Sequence, residues 1–325
     1  MERESLKETS RLVVKFGTGI LTSRSKQIDP GQIEQLVAQV ATQRQASREV
    51  IVVSSGAVGA GMGVLEMDRR PTDLSDLQAC AAVGQSRLMS TYTELFAKHN
   101  MQVAQVLLTH DDLEDKDRHL NARNTLVSLL DKGVVPIVNE NDTVATSEIR
   151  FGDNDRIAAL VAHLVEADLL VLLTDTPGLF TADPRLDAGA SLIEEIIEID
   201  HEMERLAGGT GSTRGSGGMA SKLAAAKIAA WSGVPSVIAD AKREGVIVDA
   251  VAGTPGVGTV VRARQGRLGA RRLWIAFAVA WHRYVLLGRP QDRRWLGFRF
   301  GRREARFFFY ALLLALPFVV AFLPL

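Results

Sequence analysis

Two clusters of small polar and acidic side chains are the part of this sequence best suited to chemistry. The first, Asn139-Glu140-Asn141-Asp142, directly follows the apolar stretch Val134–Val138, and the second is Gly152-Asp153-Asn154-Asp155. A strand that ends in such a cluster places carboxylates and amides at the carboxyl edge of a sheet, where open α/β sheets bind ligands. Carboxylates can hold Mg²⁺ or orient lysines, and amides can bind a polar substrate. An acidic surface loop is the alternative interpretation, which is weakened by three further glycine- or lysine-bearing turns elsewhere in the chain.

Two lysines accompany glycine-rich turns of the kind that bind phosphate. Lys15 ends an apolar run and precedes Gly17-Thr18-Gly19, whereas Lys222 stands in the first turn of a helical stretch that follows Ser216-Gly217-Gly218. Glycine lets the backbone approach an anion, N–H groups at a helix start bind it, and lysine adds a positive charge. The first turn lacks the spacing of a P-loop and of GxGxxG. An ordinary strand–turn is the alternative for the first site, and a disordered linker is the alternative for the second.

Two more strand ends carry polar side chains. Ser54-Ser55-Gly56 opens a helical stretch and suits an anion or a carboxylate, with a serine N-cap as the alternative. Neither serine has the paired glycines of a GxSxG elbow, so we reject a serine nucleophile. Thr174-Asp175 precedes Pro177-Gly178 and can bind a nucleotide through backbone groups, although turn chemistry alone explains the Pro-Gly pair.

Short apolar runs alternate with helical stretches between residues 11 and 261. Most runs are continuous, which is typical of strands buried on both faces of a parallel sheet. The predicted strands are Leu12–Lys15, Val50–Val53, Val103–Leu108, Val134–Val138, Leu169–Leu173 and Pro235–Ala239. The predicted helices are Pro30–Gln45, Asp73–His99, Asn121–Asp131, Arg156–Glu166 and Gly218–Ser232. The alternation predicts an α/β fold, a three-layer α/β/α sandwich with a mainly parallel central sheet.

The composition is that of a folded protein. The apolar fraction is 46%, and the formal net charge is +0, which gives no global case for nucleic-acid binding. The single Cys80 excludes an intrachain disulfide, and the polar N-terminal stretch has no apolar run of signal-peptide type. The histidines show no HExxH or paired spacing, so we predict no zinc site. We therefore expect a cytoplasmic protein without a nucleic-acid partner.

Taken together, the motifs resemble the amino acid kinase family, and within it the members that phosphorylate glutamate. The matching stretches span about residues 10–261 and are VVKFGTG (13–19), VSSGAVGAG (53–61), AAVGQSRL (81–88), HLNARNTL (119–126), VPIVNENDTVAT (135–146), FGDNDRIAALVA (151–162), LLTDTPGLFTADPR (172–185) and GSGGMASKLAAAKIA (215–229). Gly19 is one departure, since the family usually has a serine there.

The resemblance implies that ATP, with Mg²⁺, phosphorylates the γ-carboxylate of L-glutamate in the first step of proline biosynthesis. It implies that Lys15 and Lys222 flank the transferring phosphoryl group and that Asp155 holds both lysines. Glutamate would be bound by Ser55, Asp142 and Asn154. No residue is assigned as a metal ligand. The implied ATP-binding residues are Lys15, Thr174, Asp175, Ser216, Gly217, Gly218, Met219, Ala220, Ser221 and Lys222.

The resemblance further implies a dimer or tetramer and feedback inhibition by proline. Three alternatives remain open: a kinase of the same fold that acts on aspartate, acetylglutamate or uridylate, a non-catalytic sensor of a nucleotide or an amino acid, and a membrane-tethered scaffold. The NEND and GDND clusters disfavour the first, and the pair of lysines with Asp155 disfavours the second.

The C-terminal part departs from the family in composition. We predict a catalytic domain over residues 1–262 and an arginine-rich tail over 263–306 in place of the small RNA-modification-type (PUA) domain of many members. Residues 262–306 contain thirteen Arg, no Lys, and only Asp292 and Glu304 as acids. Residues 307–325 are uncharged, and two interpretations stay open: a membrane anchor, or unrelated or out-of-frame sequence. We expect deletion of residues 279–325 to leave kinase activity intact.

Overall fold

A central sheet organises the part of the chain that the structure, a computed structural model, describes: residues 3–21, 29–144, 153–187, 189–207 and 218–264, with the backbone alone at 294–295 and 298–299. Its strands are β1 (Arg11–Phe16), β2 (Glu49–Ser54), β3 (Val103–Leu108), β4 (Val135–Glu140), β5 (Leu169–Thr174), β6 (Glu195–Ile196), β7 (Ser236–Asp240) and β8 (Thr259–Val261). The order across the sheet is β3-β4-β2-β1-β5-β7-β8-β6. All described pairs are parallel except β7–β8. The prediction of a mainly parallel sheet is confirmed.

Helices connect these strands, after a 3₁₀ turn at Arg3–Glu8. They are α1 (Thr18–Leu21), α2 (Pro30–Gln45), α3 (Ala57–Val64), α4 (Leu74–Ala97), α5 (His110–Glu114), α6 (Lys116–Asp131), α7 (Asp153–Leu164), α8 (His201–Ala207), α9 (Met219–Trp231) and α10 (Val246–Ala252). The prediction found the five longest of these helices. The helical stretch expected after Ser54-Ser55-Gly56 is α3. The prediction missed α1, α5, α8 and α10 and the short strands β6 and β8.

Two helices, α6 and α7, begin earlier than predicted, and both start at or next to aspartate residues. Helix α2 begins as predicted at Pro30, because the Asp29 carboxylate accepts hydrogen bonds from the next free N–H groups. Helix α6 begins five residues before the predicted start, since the Asp115 side chain caps it in the same way. Helix α7 begins at Asp153, so that Asn154 and Asp155 lie in its first turn.

Alternate residues of the central strand β1 enter two separate apolar cores. Leu12 and Val14 pack on one face with side chains of α2, α4 and α10. Val13 packs on the other face with side chains of α6, α7 and α9. Because successive side chains of a strand point to opposite faces, Lys15 shares the face of Val13 and lies towards α7 and α9. Helices on both faces confirm the three-layer sandwich.

Two glycines allow α3 and α4 to touch backbone to backbone. A Cβ atom on Gly61 would lie 1.8 Å from the Cys80 carbonyl oxygen, and one on Gly84 would lie 1.8 Å from the Ala57 carbonyl oxygen. No larger residue fits at either position unless the helices separate. The contact fixes α4 beside the start of α3, which follows directly on β2.

Backbone contacts divide the chain into Met1–Gln265 and Gly266–Leu325. In the second unit the described backbone forms an antiparallel pair of two-residue strands, β9 (Arg294–Trp295) and β10 (Phe298–Arg299). The interpretations of residues 307–325, and most of the predicted tail 263–306, lie outside the described residues. Among the described helices none has the length and apolar character needed to cross a bilayer.

Candidate active site

Three buried charged side chains from three different elements meet at the carboxyl edge of the sheet. Asp155 is fully buried, and Lys15 and Lys222 are each 4% exposed. The Lys15 Nζ lies 2.6 Å from Asp155 Oδ1, and the Lys222 Nζ lies 3.2 Å from Asp155 Oδ2. The Ser221 hydroxyl donates a hydrogen bond of 2.6 Å to Oδ2. The three residues predicted to be catalytic are therefore brought together.

The electrostatics of this cluster follow from burial and charge. Burial alone would raise the pKa of Asp155, but attraction to Lys15 and Lys222, with hydrogen bonds from Lys15 and Ser221, lowers that pKa below its ordinary value. Burial lowers the pKa of Lys15 and repulsion from Lys222 adds to this effect, while Asp155 opposes both. The carboxylate thus stays ionised at neutral pH and holds the two amino groups side by side.

A second cluster, made of uncharged polar side chains, adjoins the first through α7. Asn154 Nδ2 donates to Ser55 Oγ at 3.1 Å and to Asn139 Oδ1 at 2.9 Å. The backbone N–H of Glu140 also donates to Asn139 Oδ1, at 2.9 Å. Asn139 Nδ2 in turn donates to Gln85 Oε1 at 2.8 Å. Ser55 and Asn154, both predicted to bind substrate, are thus in direct contact.

A cavity of about 430 Å³ opens beside this network. Gln85 of α4 lines it together with Glu140 and Asp142 from the end of β4 and the residues that follow. Asp142 also interacts electrostatically with the half-buried Arg70, and although burial lowers the pKa of Arg70, this attraction opposes the shift. The cavity is large enough for a free amino acid and carries both polar and charged groups on its wall.

The residues predicted to bind ATP lie at two neighbouring strand and helix ends. Thr174 ends β5, and its hydroxyl donates to Asp175 Oδ1 at 3.3 Å. Helix α9 begins after Gly218, and no described side chain caps its first turn, which contains Met219, Ala220 and Ser221. The N–H groups of Met219 and Ala220 can receive an anion, whereas that of Ser221 donates to the Gly218 carbonyl oxygen. Ser216 and Gly217 lie outside the described residues.

The structure at the start of α3 tests whether Ser54 or Ser55 is the N-cap residue of that helix. The N-cap residue is Gly56 with φ of +99°, and no described side chain makes a capping hydrogen bond there. The serine-cap interpretation of Ser54 and Ser55 is therefore wrong for this helix. Ser54 Oγ instead lies 2.8 Å from the hydroxyl of the buried Tyr92, whereas the Ser55 hydroxyl accepts a hydrogen bond from Asn154.

Asn139 and Gln85 are polar side chains of the site that the sequence did not single out individually. Both stood within motifs, NEND and AAVGQSRL, but nothing in those motifs distinguished them from packing residues. Their contact joins positions 54 residues apart, and only the sheet and the α3–α4 contact bring them together.

Comparisons with known proteins agree with this geometry. A model of the amino acid kinase family matches residues 10–240. A glutamate 5-kinase of Burkholderia mallei strain SAVP1 is 50% identical over 274 residues, which are 84% of this chain and 73% of that protein. A glutamate 5-kinase of Burkholderia thailandensis is 49% identical over the same shares of the two chains.

Solved structures with the same fold are more distant in sequence. A carbamate kinase from Giardia lamblia bound to AMP-PNP superposes with a TM-score of 0.57 at 17% identity, over 79% of this chain and 100% of that one. A UMP kinase from Bacillus anthracis superposes with a TM-score of 0.55 at 16% identity, over 78% of this chain and 96% of that one. At these identities the similarity supports the fold alone.

Proposed function

The chain belongs to the amino acid kinase family, and from this premise we propose that it is an ATP-dependent kinase of the γ-carboxylate of L-glutamate. A γ-carboxylate oxygen forms a bond to the γ-phosphorus of ATP, the bond to the β-phosphate oxygen breaks, and γ-glutamyl phosphate and ADP result. This is the first step of proline biosynthesis. The observation that carries the proposal is the pair of buried lysines on one carboxylate, within a chain half identical to glutamate 5-kinases.

The two lysines supply the charge that this reaction requires. Donor and acceptor are both anions, so their approach is electrostatically unfavourable unless positive groups stand between them. Lys15 and Lys222 would flank the transferring phosphoryl group, and Asp155 acts as a positioning residue that keeps both amino groups within 3.2 Å of its own oxygens. With both lysines protonated the cluster has one net positive charge.

Glutamate would occupy the cavity at the end of β4. Asp142 offers a carboxylate to its α-ammonium group, and Ser55 and Asn154 offer a hydroxyl and an amide next to the lysines. The γ-carboxylate would then point towards Lys15. No general base is needed, because a carboxylic acid with an ordinary pKa of about 4.3 is already ionised at neutral pH.

ATP would bind at the adjoining edge. The uncapped first turn of α9 and Lys222 suit its phosphates, and Thr174 and Asp175 would contact the nucleotide beyond them. Mg²⁺ enters as a complex with ATP and neutralises phosphate charge. The described residues contain no group of three or more acidic, histidine or cysteine side chains placed to hold a metal. Each oxygen of Asp155 contacts one of the two lysines.

Four further properties belong to the same proposal. Residues 1–262 would form the catalytic domain, since every described site residue lies within Met1–Gln265. A dimer or tetramer, inhibition by proline near the glutamate site, and a cytoplasmic location are proposed from the family resemblance.

A direct assay separates this function from its rivals. Purified full-length protein would be supplied with MgATP and with L-glutamate, L-aspartate, N-acetylglutamate or UMP, and acyl phosphates would be trapped with hydroxylamine. We expect hydroxamate from glutamate, and little from the other carboxylic acids. ADP release with UMP, or hydroxamate mainly from another acid, would overturn the assignment. A folded protein that binds ATP without turnover on any acceptor would indicate a sensor.

A further inference from the structure

The side chain of Gln85 has a buried amide nitrogen that the polar network does not use. The residue is 8% exposed and lines the cavity at the end of β4. Its Nε2 atom is buried and has no hydrogen-bond partner among the described residues. A buried donor without an acceptor is costly, so such a group in a cavity wall is suited to a ligand.

The orientation of this amide follows from a backbone donor. The N–H of Glu140 donates to Asn139 Oδ1, and a backbone N–H cannot act as an acceptor. Asn139 Nδ2 is therefore the atom that faces Gln85, and it can only donate. Gln85 must consequently present its Oε1 to Asn139, as found at 2.8 Å, and its Nε2 is left on the opposite side.

The same cavity wall carries the Asp142 carboxylate, which determines which end of the ligand lies beside it. Asp142 and Gln85 both line the cavity, and under the proposed function the Asp142 carboxylate attracts the α-ammonium group of glutamate. The α-carboxylate is bonded to the same carbon atom as that ammonium group. A ligand held by Asp142 thus brings a carboxylate oxygen, which is a strong acceptor, into the cavity whose wall Gln85 also forms.

We propose that Gln85 binds the substrate, donating a hydrogen bond from Nε2 to an α-carboxylate oxygen, and that it makes the site selective for a free α-carboxylate. The inference rests on the proposed function, because it takes glutamate as the occupant of this cavity. The close contact of α3 and α4 at Gly61 and Gly84 holds Gln85 in place, since Gln85 follows Gly84 directly.

The test compares L-glutamate with its α-amide, in which an NH₂ group replaces one α-carboxylate oxygen. Gln85→Glu keeps the size and the acceptor for Asn139 but replaces the donor with a second oxygen. We expect the KM for glutamate to rise about 10- to 100-fold, since a charge-assisted hydrogen bond becomes a repulsion. We expect the KM for the α-amide to fall, so that the preference for glutamate is lost or reversed, while the KM for ATP stays within twofold.

Two further variants keep the test decisive. Gln85→Met is neutral, removes both polar atoms, and should raise the KM for glutamate about tenfold with kcat little changed, which covers the case in which Gln85→Glu does not fold. Gln35→Glu adds the same charge on the exposed side of α2 and should leave both KM values unchanged. Unaltered preference for glutamate over its α-amide in folded Gln85→Glu or Gln85→Met would overturn the inference. Absence of glutamate phosphorylation by the unaltered protein would instead overturn the proposed function.

Discussion

At the scale of single residues, Asp155 is the side chain on which the rest of the site depends. Two buried ammonium groups would repel each other and lose their hydration without a carboxylate between them. Each oxygen of Asp155 contacts one lysine. The single carboxylate therefore offsets the repulsion and the lost hydration of both ammonium groups, and it sets the spacing of Lys15 and Lys222. Its contribution is therefore to stability and to geometry at once.

The first prediction concerns the removal of that carboxylate charge. Asp155→Asn should lower the free energy of unfolding by about 3–5 kcal/mol, because it leaves buried lysines without a counter-charge. Denaturant unfolding monitored by circular dichroism measures the loss. Glu34→Gln, which breaks the exposed pair with Lys98, is the matched control and should change stability by no more than about 1 kcal/mol. Equal losses in the two variants would contradict a special role for the buried cluster.

The second prediction separates the effect of the Lys222 charge on the chemical step from its effect on glutamate binding. Lys222→Ala should reduce kcat about 100- to 1,000-fold, because its charge acts mainly on the phosphoryl group in the transition state, and it should raise the KM for glutamate only modestly. Steady-state kinetics with varied glutamate gives both values. Lys227→Ala, on the same helix but paired with Glu204, should keep its activity. A Lys222→Ala enzyme with unchanged kcat would remove Lys222 from the mechanism.

At the scale of elements, the contact between α3 and α4 determines where Ser55 and Gln85 lie. Ser55 comes just before α3 and Gln85 lies in α4, so their separation is set by how closely the two helices pack. Gly61 and Gly84 permit backbone contact there. The contact is therefore a structural requirement of the cavity as well as of the core.

The third prediction tests this requirement. Gly84→Ala would place a methyl group 1.8 Å from the Ala57 carbonyl oxygen, so the helices must move apart. We expect a stability loss of about 3 kcal/mol, the upper end of the usual cost of overpacking, together with a higher KM for glutamate. Gly31→Ala in α2 is the control, because its methyl group would lie 3.5 Å from the nearest atom and alanine favours a helix. Similar melting temperatures for the two variants would count against the close contact.

At the scale of the whole molecule, the described site lies within one unit of the chain. Lys15, Asp155 and Lys222 are far apart in sequence, yet all belong to Met1–Gln265. The fourth prediction is that deletion of residues 279–325 leaves kcat and the KM for glutamate within about twofold of the full chain. Circular dichroism and size-exclusion chromatography would establish that the shortened protein is folded. A folded protein without activity would show that residues 279–325 are required for catalysis.

The extent to which sequence predicted this structure varies with the length of each element. The continuous apolar runs that became β1, β2 and β5 could be predicted as strands buried on both faces, because they are short and rich in β-branched or aliphatic residues and alternate with helical stretches. Strands β6 and β8, with two and three residues, are too short to show a pattern. The acidic starts of α6 and α7 looked like loops, since aspartate favours turns and helix caps alike.

The site was predictable where chemistry leaves a local signature. Lysine beside glycine predicts a phosphate site within a few residues, so Lys15 and Lys222 could be named as candidates from the sequence. Gln85 has no such signature, because an amide in a helix resembles any other polar residue until its partner is known. Asn139 comes from another element, and only tertiary packing brings the two together.

The position of β1 in the sheet has a consequence for synthesis of the chain. Its partner β2 follows closely in sequence, but its other neighbour, β5, ends at Thr174. About 120 residues lie between the end of β2 and the end of β5. At translation rates of ~5–20 residues per second their synthesis takes on the order of ten seconds. Until then the central strand is an edge with unpaired backbone groups. A nascent chain of this protein therefore needs protection from association with its neighbours on the ribosome, long before Lys15 and Lys222 meet.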